Sequence, residues 1–122
     1  MKEPMIRVLK IEPHKEPQVI HIKNSLESLQ KEVDGYLEIV VLSPTAMMVF
    51  NEEGKIIGLE GNRRFNNDVI VGNIIIAGID DNRDTCSLSD AELKTYMERF
   101  KQPEEINQEE IDSTSTFNIR FF

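Results

Sequence analysis

Tryptophan is absent from this chain, cysteine occurs once and histidine twice. The lone Cys86 excludes an intrachain disulfide and argues against a structural zinc site, which needs a set of thiolates or imidazoles. With only His14 and His21 as imidazole bases, nucleophilic catalysis is short of candidates, because it needs a nucleophile, a base and an orienting group together. His14 stands in a proline-flanked turn and His21 in an alternating strand pattern, where solvent-facing or structural roles are the ordinary ones. Cys86 has no cationic neighbourhood beyond Arg83 and reads as a small, partly buried residue rather than a reactive thiolate. With no catalytic constellation, the expectation is a non-enzyme without metal or cofactor. Long apolar runs are also missing, none approaching the ~20 residues needed to span a bilayer. Met1-Lys2-Glu3-Pro4 leads into a strand pattern rather than a signal-peptide apolar region, so the expected location is cytoplasmic.

Positive charge is scarce as well. Fourteen Lys and Arg stand against 22 Asp and Glu, a formal net charge of −8. A general nucleic-acid binder needs a basic footprint to displace counterions, so direct nucleic-acid binding is not expected. The excess is uneven, since Asp80 to Asp112 holds 11 acidic and 4 basic side chains. Its ordinary reading is a solvated helix and tail, and its sharper one a face for a basic partner.

What is present is a 122-residue chain, enough for one hydrophobic core. Met5–Ile11 and Gln18–Lys23 read as two strands joined by a polar turn with Pro13 and Pro17. Asn24 is the expected N-cap of a helix over about Ser25–Asp34, with Glu27 completing a capping box and Gly35 at the left-handed C′ position. Tyr36–Leu42 and Ala46–Phe50 read as strands, Asn51-Glu52-Glu53-Gly54 as a turn, and Lys55–Gly58 as a short strand or loop. Asp68–Ile79 is expected to be one long central strand, with Gly72 marking a bulge or a close backbone approach. Ser89 and Glu92 form a second capping box, and Leu93, Tyr96, Met97 and Phe100 line one face of the following helix, which Pro103 ends. The order β-β-α-β-β-β-α with tight links implies an α+β domain over residues 1–103, two amphipathic helices covering a mostly antiparallel sheet. Residues 104–122 read as an acidic, flexible tail. Its alternating Phe117, Ile119 and Phe121 could add an edge strand to this sheet or to a neighbour's in a homodimer.

The polar motifs are weak one by one. Asp80-x-Asn82-x-Asp84 opens like a calcium loop, but Thr85 stands where glycine is needed and Ala91 where glutamate is needed. Gly58-x-x-Gly61 lacks the lysine of a P-loop and the Rossmann spacing. Asn62, Arg63 and Arg64 follow it, and two guanidiniums beside a flexible backbone could grip phosphate or carboxylate. The competing expectation is that both arginines pair with this chain's own carboxylates.

Several segments together resemble an uncharacterised small-domain family, a domain of unknown function carried by bacteria, phages and mobile elements. They are Ile6-Arg7-Val8-Leu9-Lys10-Ile11-Glu12-Pro13, Ser25-Leu26-x-x-Leu29-Gln30 with Gly35-Tyr36-Leu37-Glu38, Asn51-Glu52-Glu53-Gly54, Leu59-x-x-Asn62-Arg63, Asp68-x-Ile70-Val71-Gly72 and Ser87-Leu88-Ser89-Asp90. The resemblance spans Ile6–Pro103. The family pattern usually places proline where Glu60-Gly61 stands. Two functions are therefore expected. In the first, a small binding module holds an anionic, nucleotide-like molecule on Gly58, Gly61, Asn62, Arg63 and Arg64, as in sequestering a defence signal. In the second, an acidic inhibitor or adaptor, including a DNA mimic, presents Glu104, Glu105, Glu109, Glu110, Phe117 and Phe121 to a basic host protein.

Overall fold

The computed structural model describes residues 3–114. Met5–Ile11 (β1) and Gln18–Lys23 (β2) form the expected antiparallel hairpin, Leu9 lying opposite Val19. Leu26–Val33 (α1) starts one residue later than the sequence pattern suggests. Ser25 Oγ caps it by accepting from the Ser28 N–H, while the Asn24 amide donates to the carbonyls of Glu3 and Thr85. Asp34, not Gly35, takes the left-handed conformation that ends the helix (φ 61°).

Leu37–Ser43 (β3) and Ala46–Asn51 (β4) follow as an antiparallel pair. The expected single strand over Asp68–Ile79 divides in two. Asp68–Val71 (β6) pairs with Gly61–Phe65 (β5) in a separate ribbon, and Ile74–Ile79 (β7) enters the main sheet. Gly72 makes the break, with φ at 73° and space for no side chain, since a Cβ there would lie 2.6 Å from Leu59 Cδ1. Lys55–Gly58, expected as strand or loop, belongs instead to a single helical turn, Gly54–Ile57 (α2), and its end.

The main sheet runs β2-β1-β7-β4-β3, with the two-residue strand Thr85–Cys86 (β8) alongside β7. Every pairing is antiparallel. Ile74, Ile75 and Ile76 in β7 are all fully buried, because both sheet faces are covered there. One face packs Ile6, Val8, Val49 and Ile75 against Leu29 and Val33 of α1. The other packs Leu9, Ile11, Met48 and Ile76 against the ribbon and against Asp90–Arg99 (α3), through Phe65, Ile70, Leu93, Tyr96 and Phe100. The capping box of Ser89 and Glu92 is present as expected. The result is an α+β fold with a mostly antiparallel sheet.

Residues 104–114 do not behave as a free tail. Gln108–Ser113 (α4) lies on the ribbon with Ile111 buried against Val69 and Val71. The acidic composition hides this contact, which rests on a single branched apolar residue supported by Ile106. The strand expected around Phe117 and Phe121 lies outside the described residues.

Candidate functional site

Two adjacent arginines on β5 point to opposite sides of the ribbon. The basic segment expected as an irregular loop is thus a strand from Gly61 onward, with a register shift between Gly61 and Arg63. Arg63 is fully buried, and its five N–H donors all have partners within the chain. Nε and Nη2 donate to the Phe100 carbonyl at 3.1 and 2.9 Å, Nη2 to the Lys15 carbonyl at 2.7 Å, and Nη1 to Asn62 O and Oδ1 at 3.1 and 2.8 Å. Phe100 caps the C-terminus of α3, where unsatisfied carbonyls concentrate partial negative charge, so a cation fits there without a carboxylate. Burial pulls the guanidinium below its ordinary pKa, and the field of Glu104 opposes that. Asn62 is equally buried. Its amide donates to Ile11 O at 2.8 Å and Gly72 O at 2.7 Å. These two residues knot the end of β1, the β1–β2 turn, the β6–β7 break and the end of α3. The sequence pattern offers them as ligand donors, but all of their side-chain N–H groups are taken within the chain.

Arg64 faces outward into a clamp of carboxylates. Nε meets Glu110 Oε2 at 2.5 Å, Nη2 meets Glu110 Oε1 at 2.7 Å and Nη1 meets Glu104 Oε1 at 2.9 Å. The bidentate geometry with Glu110 holds the arginine above its ordinary pKa and the glutamate below its own. Arg64 does line a cleft of about 400 Å³ with Arg99, Asn66 and Asn67, but Asp68 and Glu110 line it too, leaving nothing that selects an anion. Gly58 and Gly61 border a different hollow, beside His14, Glu60 and Glu105. Two of the proposed partner-facing acids, Glu104 and Glu110, are therefore engaged with Arg64. Glu105 lies near His14 Nδ1 at 3.8 Å, and Glu109 is exposed.

The open surface lies elsewhere, on β3. This strand pairs with β4 and, among the described residues, with nothing on its other side. Edge strands are ordinarily blunted by lysine, proline or a bulge. Over Leu37–Leu42 β3 has neither lysine nor proline, and its one irregularity comes only at its end, between Val41 and Ser43. Ile39 and Val41, on the α1 side, are 54% and 64% exposed. On the opposite side Glu38 borders a cavity of about 230 Å³. Phe50, Val69 and Val71 give it apolar walls, and Glu52, Lys55 and Asp68 give it charge. The Lys55 ammonium is engaged by Asp68 Oδ1 at 2.6 Å, Thr114 Oγ1 at 3.1 Å and Thr114 O at 3.3 Å. Burial, together with the fields of Asp68 and Glu52, pushes the Glu38 carboxyl up. The cue for this surface lies in the sequence, as a branched apolar strand in which Glu38 is the one charged residue. The cue for the cavity does not, because its walls come from β3, β4, α2 and β6.

A six-stranded antiparallel sheet, covered by a helix on one face and by a helix and a ribbon on the other, defines a small layered α+β domain. Residues 6–101 match the family described as "Domain of unknown function (DUF3846)", and the chain belongs to that family. No curated protein and no solved structure matches it. All partners of Arg63 fall inside the matched residues, whereas Glu104 and Glu110 fall beyond them.

Proposed function

We propose that this protein is a non-enzymatic interaction module that binds an extended segment of a partner protein along β3. The unpaired edge of β3, with Ile39 and Val41 exposed on it, carries the reading. An edge strand presents a row of unpaired N–H and C=O groups, and an added strand satisfies them while alternate side chains meet the two faces. Ile39 and Val41 supply the apolar contact, and with 54% and 64% of their surface still exposed each gains roughly 1–2 kcal/mol if fully covered. The adaptor or inhibitor class fits this surface better than the anion-binding class, because the arginines that would hold an anion are occupied within the chain.

Selection of peptides from a random display library on the full chain tests this reading. Peptides that bind the wild type and lose binding to the Ile39→Lys/Val41→Lys double variant are expected. Ligands that bind the double variant equally well, or a selection that yields none, would count against it.

A further inference from the structure

Resting on that reading, we infer that the partner segment is basic: an extended strand of the form Φ-x-Φ-Arg or Φ-x-Φ-Lys, with Φ a branched or aromatic residue, contributed by another protein. The register follows from β3 itself. Residues directly opposite in an antiparallel pair share a face. A strand with its apolar residues opposite Val41 and Ile39 places its next residue opposite Glu38, on the cavity side.

Three observations make that residue cationic. First, Glu38 and Glu52 have no hydrogen-bond or ion-pair partner among the described residues, and the cavity's lysine is already held by Asp68 and Thr114. Second, the Glu38 carboxylate is partly desolvated and sits in the fields of Asp68 and Glu52, which Lys55 only partly offsets, so an incoming cation relieves the repulsion that is left. Third, the cavity suits an aliphatic stem with a charged head. Phe50, Val69 and Val71 can cover the methylenes while the head stays among the carboxylates. At about 230 Å³ it is smaller than the roughly 300–1,000 Å³ usual for small-molecule sites. A side chain fills such a space and a nucleotide does not. The chain's net charge of −8 adds long-range attraction for a basic partner.

The chain's own sequence contains two segments of this form, Ile20-His21-Ile22-Lys23 within β2 and Phe117-Asn118-Ile119-Arg120, and the second supplies a probe. A labelled F-N-I-R-F-F peptide is titrated against the full chain by fluorescence anisotropy, beside the same peptide with glutamate in place of arginine. The arginine peptide is expected to bind about tenfold or more tightly than the glutamate peptide, a gap that narrows as salt is raised. Glu38→Lys in the protein should reverse the preference. Equal binding of both peptides, abolished by Ile39→Lys/Val41→Lys, would overturn the basic-partner inference and leave the β3 reading standing. Binding of neither peptide to the wild-type chain or to an Arg120→Glu chain would count against both. Tighter probe binding to the Arg120→Glu chain than to the wild type would assign the edge to the chain's own segment, or to a second copy's, and would overturn the assignment to a foreign partner.

Discussion

The β5 ribbon and the β3 edge differ in what their polar groups still lack. On β5 the conspicuous residues are cations, and both guanidiniums are engaged from within: Arg63 by backbone carbonyls and the Asn62 side chain, Arg64 chiefly by the carboxylates of Glu104 and Glu110. On β3 the conspicuous residues are branched and apolar, and what they lack is a covering surface. A polar motif is thus a weak guide to a binding site until its hydrogen bonds are counted. Buried polar groups are nearly always satisfied in a native fold, so unmet demand concentrates at the surface.

The contrast is open to test by substitution. The largest effect is expected at Arg63. Arg63→Ala strips donors from the carbonyls of Phe100, Lys15 and Asn62 and leaves a void, a loss of about 3–5 kcal/mol from unsatisfied buried acceptors and the cavity together. Denaturant unfolding measures it, and Arg63→Lys should not restore it, because an ammonium cannot reproduce the planar fork. A loss below about 1 kcal/mol would show that the knot is not structural.

Next in size is Gly72→Ala. It forces a Cβ against Leu59 at a left-handed φ, and about 1–3 kcal/mol of destabilisation is expected. This change tests whether the division of β6 from β7 depends on that residue. At β3 the expectation is reversed, since Ile39→Lys/Val41→Lys should leave unfolding within about 0.5 kcal/mol per substitution of wild type while removing peptide binding. A large stability loss there would mean that the two side chains serve the core.

The smallest effect belongs to the outer clamp. Arg64 holds the Glu110 carboxyl below its ordinary value of 4.5, so the clamp's contribution is full above about pH 4.5 and fades as pH falls through the lowered value. Hydrogen exchange of α4, taken relative to the intrinsic rate at each pH, should accelerate in that acidic window. Arg64→Ala should produce the same acceleration at neutral pH and remove the pH dependence. Because the groups are exposed, added salt should weaken the clamp as well.

Much of the fold was legible in the chain. Alternation and turn chemistry locate β1 to β4, and the Ser89–Glu92 box places α3. The misplaced features share a physical cause. Val69 to Ile79 reads as one apolar run, and nothing local says that Gly72 turns it from one sheet into another. The Gln108–Ser113 helix depends on Ile111 finding a distant ribbon, and a sparse acidic sequence does not advertise that contact. For the candidate site, the sequence marks Asn62 and Arg63 as distinctive without showing what they hold, and Arg64 pairs with carboxylates of its own chain, one of the two alternatives open from sequence. What sequence could not decide was whether the Arg63 guanidinium faces outward or inward, since the answer rests on Phe100 and Lys15, 37 and 48 residues away.

Amide hydrogen exchange of the full chain, resolved by residue with and without a saturating selected peptide, puts the contrast between the two strands to the most direct test. Slowed exchange along Leu37–Leu42, with β5 and β6 unchanged, is the expected result. Slowing confined to Gly61–Phe65 or to the Arg64 clamp, with β3 unaffected, would contradict it and return the binding site to the arginine strand.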